Sequence, residues 1–502
     1  MTLTGQLADR PTGQPQAFKM LIAGKAVDAR SGSTFESMNP YRGQPWAVVP
    51  DATGEDVDVA VEAARAALEG EWGQLTGFAR SGLIHRLGDL VTTNAQRLAR
   101  LEVQDSGKLY REMIGQMTAL AGWYHYYAGL ADKLEGRSIS TPSSNYLVYT
   151  RREPVGVVAA ITPWNSPLML LTWKLAPALA AGCTMVAKPS EHSPVSTLVF
   201  AELLGEAGFP PGVLNVVCGR SRELGASLAA HPGVDKVAFT GSTATGRKVA
   251  EAAGRNLNRV TLELGGKSPQ VVFADADLTA AANGLLAGVF AATGQTCMAG
   301  ARLIVHESVH DELVRLVSQR ASTIKLGDPT DPETEMGPVA NQPQYEQVLK
   351  YLKLAVEEGA EVVCGGRPDD ELGGYFVRPT VLTGLGPESV VGREEIFGPV
   401  LSVYRFTDEA EAVALANDTP YGLAGAVWTK DVHRAHRVAA KIRAGNVWVN
   451  DYRVVAPSVP FGGFKASGIG RENGLAAVDE YTETKSIWVE LTGRSRDPFV
   501  LG

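Results

Sequence analysis

Cysteine is scarce in this sequence: four residues in 502, at 183, 218, 297 and 364, with no pair at CxxC spacing. That excludes a disulfide-stapled scaffold and offers no zinc-ligand pattern, so no metal is expected and a reducing compartment is the natural setting. Long apolar runs are missing too. The longest candidate, Leu168 to Ala181, is broken by Lys174 and Pro177. It falls short of the roughly eighteen uninterrupted apolar residues of a membrane span. The opening stretch MTLTGQLADRPTGQPQAF lacks the charged start and apolar core of a signal peptide. A cytoplasmic protein with no membrane partner is the expectation. Positive charge is not in excess, since the formal net charge is −8. The tight basic clusters, Arg151-Arg152 and Arg247-Lys248, are too short for a binding tract, so nucleic acid is not an expected partner. No internal repeat stands out.

What is present fits a folded, multi-domain chain. At 502 residues it is too long for one core, and about 150 residues per domain suggests two or three. The first 50 residues read as short strands and turns. From Thr53 to about Leu130 the pattern is helical, with acids early in EDVDVAVEAARAALEG, where they suit the helix dipole. After Ala160 strands alternate with helices. VGVVAAIT is a continuous apolar run of the kind buried parallel strands show. It is followed by the helix LLTWKLAPALAAG, the strand CTMVAKP and the helix VSTLVFAELLGEAG. GVLNVVC and KVAFTG are further strands, and the latter runs into the helix TATGRKVAEAAGRN. This alternation predicts a doubly wound α/β sheet, which binds nucleotides at the carboxyl ends of its strands. A second α/β unit begins near Gly265 with the strand SPQVVFAD, a long helix through Gly288, the strand RLIVHES and the helix DELVRLVSQRAS. LGDPTDPETEMGP reads as a surface loop, and a further βα stretch ends with AGNVWVN. NYLVYTRRE and KSIWVEL look like strands without partners in either unit, hence candidates for an oligomer interface.

Three residues stand out chemically. Cys297 lies in GQTCMAGAR, among small residues. A free thiol has a pKa near 8.5, so a base or positive surroundings must activate it. Glu263, at a strand end in VTLELGGKSP with two glycines close behind, is a candidate base. Asn165 in ITPWNSP can aim its amide at an oxyanion. Alone, each has an ordinary reading: a buried small hydrophobe, a structural carboxylate, an Asx turn. The glycine motifs fail as P-loops. In FTGSTATGRK, Gly246 is followed by Arg247 and Lys248, and in GGKS the first glycine of the pattern falls on Thr261. SGIGRENG also misses the GxGxxG spacing. What survives is a strand ending at Thr240, then Gly241, then a helix start at Ser242-Thr243, which suits a pyrophosphate. Lys188 and Glu191 in KPSE, at another strand end, can reach ribose hydroxyls, and a carboxylate there favours NAD over NADP. The bland reading is a solvated charged turn.

Taken together the segments resemble the aldehyde dehydrogenase family. The resemblance rests on PWN at 163–165, KPSE at 188–191, FTGSTATG at 239–246, LELGGKSP at 262–269, GQTCMAG at 294–300, EEIFGPV at 394–400 and PFGGFKASGIGRE at 460–472. It implies a Rossmann-like cofactor domain at 1–134 and 155–264, an α/β catalytic domain at 265–465, and a small β element for oligomerisation at 135–154 and 483–495. It implies oxidation of a small-molecule aldehyde to the acid with NAD. Cys297 would form the thiohemiacetal, Asn165 and the Cys297 N–H would hold the oxyanion, and Glu263 would activate the hydrolytic water. Lys174 and Glu472 would support Glu263. The cofactor would meet Ile161, Thr162, Pro163 and Trp164, then Lys188, Ser190, Glu191 and Gly225. The Gly241–Gly246 turn, with Ser242, would lie by the pyrophosphate and Glu395 with Phe397 by the nicotinamide ribose and ring, while Phe239, Thr240, Leu264 and Gly265 would also bind the cofactor. The substrate tunnel would be lined by Ser166, Met169, Leu170, Trp173, Thr296, Met298, Val455 and Phe461. That mainly apolar set favours an uncharged aliphatic, terpenoid or aromatic aldehyde. Glu263 argues against the acylating relatives, which lack this base. Two departures stand out: Ala301, where serine is common, and Ser166, where many relatives carry an aromatic. A semialdehyde dehydrogenase, a non-catalytic protein of the same fold and a phosphate-transfer enzyme are the competing readings. A homodimer or homotetramer is expected.

Overall fold

The structure, a computed structural model, describes residues 14–386, 388–494 and 497–499. The first thirteen residues, which carry most of the stretch read for a targeting signal, lie outside the described residues, as does Ser495 at the end of the 483–495 segment. Among the described residues no helix is long and apolar enough to cross a membrane.

The apolar run VVAAI forms the strand Val157–Ile161 at the middle of an eight-stranded sheet. Thr184–Lys188 and then Leu214–Val216 add in parallel on one side. Lys236–Thr240 and then Arg259–Glu263 add in parallel on the other. The chain therefore reverses direction across the sheet between Val157–Ile161 and Lys236–Thr240. This is the switch point where the loops leaving adjacent strands diverge and open a crevice. Register brings the strand ends into one row, with Ile161 opposite both Lys188 and Phe239, and Thr240 opposite Glu263. Antiparallel edges close the sheet, Met20–Ile22 with Lys25–Val27 on one side and Gly468–Ile469 on the other.

A seven-stranded sheet forms the second unit around Pro269–Val272, which pairs in parallel with Arg302–His306 and Ala424–Trp428. Only Leu264–Ser268 joins Glu263 to this strand, and that connection is buried throughout. The helices begin where the sequence supplies acceptors. Ser242 Oγ accepts from Thr245 N at 3.2 Å, and Asp277 and Asn341 cap their helices in the same way. Such caps satisfy amide donors that no earlier turn can reach. One core underlies the helices of the first hundred residues and the eight-stranded sheet, and three smaller cores flank the seven-stranded one.

Three sequence readings change. The two strands without partners pair with each other: Tyr146–Pro154 runs antiparallel to Thr482–Glu490 along their whole lengths, with Ser138–Ile139 on the far edge. Glu307 and Ser308, read into a strand, open the helix Glu307–Ser322 instead, because the His306 ring accepts from Ser308 N at 3.2 Å. The loop over 326–338 does not stay on the surface. Its far end is buried at Met336, and Gly337 O accepts from Thr293 Oγ1 at 3.0 Å.

Candidate active site

The connection Leu264–Ser268 organises the site because its backbone groups are tied to both units. Leu264 N donates to Ser467 O at 3.0 Å and Ser467 Oγ donates to Gly265 O at 2.6 Å. Gly266 N donates to Glu395 Oε1 at 3.0 Å, and Arg302 Nε donates to Lys267 O at 2.8 Å. Gly266 has no room for a side chain, since a Cβ there would lie 2.5 Å from the carbonyl oxygen of Cys297. A strand end carrying Glu263 is thereby packed, three residues later, against the backbone of the candidate nucleophile.

Cys297 follows a 3-10 turn, Ala291–Gly294, in which Ala292 and Thr293 are non-glycine residues with positive φ. Such backbone costs of order 1–3 kcal/mol per residue and persists where the surroundings enforce it. Here Thr293 is held by Gly337 O, and Gln295 Oε1 accepts from Ala340 N at 2.9 Å. Asn165 Nδ2 donates to Gln295 O at 2.9 Å, which sets the amide two residues from Cys297. Burial, then the carboxylates of Glu263 and Glu395, push the Cys297 thiol up to about 12. Glu263 is buried with no hydrogen-bond partner for either oxygen. Burial, then the charge of Glu472, raises its carboxyl well above the usual range, while Lys174 and Arg471 oppose that rise. Lys174 Nζ is ion-paired with Glu472 and donates to Thr240 Oγ1 at 2.6 Å. Glu472 and Phe461 exchange backbone hydrogen bonds of 2.6 and 2.7 Å, so the glycine-rich tail wraps beneath the carboxylate. A buried carboxylate with unsatisfied oxygens and a raised pKa is a stronger base than a free one.

A cleft of about 890 Å³ opens at the start of the helix Thr243–Gly254, with Ser242, Thr243 and Ala244 on one wall and Glu394, Glu395 and Tyr421 on the other. The amides of Thr243 and Ala244 open the helix Thr243–Gly254 and have no acceptor among the described residues, which fits an anionic group. Gly241 N donates to Glu263 O at 3.0 Å, and a Cβ at Gly241 would sit 2.5 Å from the Phe239 ring. Gly246 has a packing reason, because a Cβ there would strike Leu264 at 2.4 Å. Lys188 is buried, its Nζ donating to Pro189 O at 3.1 Å, and burial lowers its pKa against the opposing charge of Glu191. Gly225, on the helix Arg222–Ala229, lies beside the Lys188 stem, where a Cβ would make ordinary contact at 3.8 Å. Ser190 Oγ lies 3.3 Å from Glu191 Oε2. Thr162 N donates to Lys188 O at 3.1 Å, and Thr162 Oγ1 is buried without a partner. After Pro163, the Trp164 ring meets Phe397 edge-on at 5.2 Å, across the two units. Burial lifts the Glu395 carboxyl to about 7 against the Gly266 N–H and the charge of Lys267. Strand ends, free helix amides and a carboxylate in KPSE together fit a dinucleotide.

Of the proposed tunnel residues, Leu170, Trp173 and Phe461 belong to the buried core, with Trp173 and Phe461 rings 5.0 Å apart. Met169, Met298 and Val455 are partly buried against it, and Thr296 Oγ1 lacks a partner. Ser166 is buried and contacts Lys108. Sequence reasoning missed Gln295, Lys108, Arg453 and Ser467. Gln295 and Ser467 lie inside the motifs GQTCMAG and PFGGFKASGIGRE, but the partner each acts on is far away in the chain, as for Lys108 and Arg453.

Parallel-sheet crevice, strained cysteine loop and buried carboxylate define a class of α/β enzymes that couple a thiol nucleophile to a nucleotide cleft. The chain belongs to the aldehyde dehydrogenase family, whose sequence pattern it matches over residues 26–487. It is 47% identical over 489 residues to the (Z)-2-((N-methylformamido)methylene)-5-hydroxybutyrolactone dehydrogenase of Acinetobacter baylyi, covering 97% of this chain and all of that one. It is 44% identical to a phenylacetaldehyde dehydrogenase of Pseudomonas fluorescens, covering 93% of this chain and 95% of that one. An aldehyde dehydrogenase from Bacillus cereus, solved as its NAD+ complex, superposes with a TM-score of 0.93 at 46% identity, over 95% of this chain and 97% of that one.

Proposed function

We propose that the protein oxidises an aldehyde to the carboxylic acid with NAD, through a covalent intermediate on Cys297. The observation that supports this best is the packing of the turn after Glu263 against Cys297, where a Cβ at Gly266 would lie 2.5 Å from the Cys297 carbonyl oxygen, with the Asn165 amide held on Gln295 O two residues away. The Cys297 thiol loses its proton to water and the sulfur adds to the carbonyl carbon. The developing oxyanion is held by the Asn165 amide and the Cys297 N–H, donors fixed before the reaction starts. Bound NAD supplies the acceptor for the hydride that leaves the same carbon. Glu263 then takes a proton from water, which attacks the acyl carbon and frees the acid and the thiol. Ser242 and the helix amides behind it would hold the pyrophosphate, and Lys188 and Glu191 a ribose. The mainly apolar lining supports an uncharged aliphatic, terpenoid or aromatic aldehyde. Segments 155–264 and 265–465 serve as cofactor and catalytic domains, with 1–134 completing the former. The arm of Tyr146–Pro154 and Thr482–Glu490 supports a homodimer or homotetramer. Four free cysteines suit the cytoplasm.

The decisive experiment pairs two variants. Cys297→Ala is expected to abolish NADH formation while still binding NAD. Glu263→Gln is expected to keep a pre-steady-state burst of NADH and lose the steady rate by about 10²–10⁴-fold, the usual worth of a general base. Turnover retained by the first variant, or a burst lost by the second with steady turnover intact, would overturn the proposal.

A further inference from the structure

Lys108 lies 58 residues before Ser166 and is buried, yet its Nζ donates to Ser166 Oγ at 2.5 Å. An ammonium only donates, so the serine oxygen must accept. The serine proton is then left to donate elsewhere, and among the described residues it has no acceptor. A buried hydroxyl with an unused proton is costly unless something arrives to take it. Ser166 sits at the entry to the helix Pro167–Ala181, directly after Asn165, whose amide donates to Gln295 O two residues from Cys297. Leu170 and Trp173 share its helix face, and Trp173 Nε1 is a second buried donor without a partner. Arg453 lies in the loop after the strand Asn446–Val449, its Nη1 donating to Ala287 O at 2.7 Å. Its neighbour Tyr452 donates to Met298 O at 2.7 Å, next to Cys297, and Arg453 itself has the left-handed φ of 72° that a non-glycine residue rarely adopts. Glu102 opposes the lowering of the Lys108 pKa by burial, and Glu112 does the same for Arg453.

We infer that Ser166, oriented by Lys108, is a specificity-determining hydrogen-bond donor that selects neutral aldehydes carrying an oxygen acceptor near the aldehyde carbon. An ether, hydroxyl or carbonyl oxygen there takes the serine proton, and a plain alkyl chain leaves it unpaired. The inference rests on the dehydrogenase reading and narrows its substrate class from uncharged to oxygenated.

The test uses the full chain with NAD and three aldehydes of one length, pentanal, methoxypropanal and ethoxyacetaldehyde, with succinate semialdehyde as the anionic arm. The readout is kcat/KM for each oxygenated aldehyde relative to pentanal. In Ser166→Ala that ratio is expected to fall about tenfold for at least one ether, the worth of one net hydrogen bond. Ser166→Thr, which keeps the hydroxyl, is expected to retain most of it. A ratio unchanged in Ser166→Ala overturns the inference while leaving the dehydrogenase reading intact. So does a clear preference of the unaltered protein for succinate semialdehyde. No NADH from any of the four overturns both.

Discussion

A thiol held neutral by its surroundings is a weak nucleophile, and Cys297 is held so by burial and by the carboxylates of Glu263 and Glu395. The direction of that effect makes the role of Glu263 testable without substrate. If Glu263 serves the water step, its negative charge only opposes thiolate formation in the cofactor-free protein. Glu263→Gln is then expected to speed alkylation of Cys297 by iodoacetamide, and in both proteins the rate should climb steadily with pH toward the raised thiol pKa. Slower alkylation in Glu263→Gln would mean that the carboxylate is the base for the thiol instead, and the division of labour proposed above would fail. Cys297, Glu263 and Asn165 were legible as candidates because each sits in a short segment whose neighbours are constrained as well. The glycines after Glu263 illustrate this, since Gly266 is required by the Cys297 carbonyl. Lys108 was not legible. Its partner is 58 residues away, and only the packing of the turn after the helix Ala95–Ser106 against the start of Pro167–Ala181 brings them together.

At the level of elements, the arm of Tyr146–Pro154 and Thr482–Glu490 is the least protected part of the fold. Thr482–Glu490 is an edge strand, and Trp488 on it is 60% exposed beside an exposed Tyr146. An open edge with exposed large side chains is a template for pairing with another chain. Trp488→Lys is therefore expected to shift the protein to a smaller assembly, read as a lower mass by light scattering, with monomer folding preserved because that side chain lies outside the core. An unchanged mass would move the interface elsewhere. The two strands were readable from their alternating, β-branched and aromatic residues, but their mutual pairing was not, because more than 300 residues separate them. The segment between Gln342 and Lys441 was read only as a further βα stretch. It holds the helices Gln342–Glu357, Glu409–Asn417 and Val432–Lys441 and several short strands. Thr380–Thr383 has only four residues, too few for periodicity to decide, and parallel pairing with Val400–Phe406 defines it.

For the whole molecule, the crevice lies between two sheets joined through Leu264–Ser268, and a ligand spanning it must stabilise the closed arrangement of both. The doubly wound sheet was foreseeable from alternating strands and helices, but the position of the second sheet was not, since it depends on buried contacts such as Gly266 against Cys297 and Trp164 against Phe397. Ligand linkage makes the crevice measurable. NAD at a hundred times its dissociation constant contributes about 2.7 kcal/mol to the folded state, expected as a rise of a few degrees in the unfolding midpoint. NADP at the same concentration is expected to raise it less. Its extra phosphate must approach Glu191, whose carboxylate lies within 3.9 Å of His192 at the strand end that carries Lys188. The charge conflict is local, so Glu191→Ala should weaken the response to NAD, from which it removes a ribose contact, and strengthen the response to NADP, from which it removes a repulsion. Equal responses to both nucleotides in the unaltered protein would place the ribose away from this turn. Opposite shifts in the variant would fix the adenosine end of the crevice at Glu191, and with it the direction in which the nicotinamide points toward Cys297.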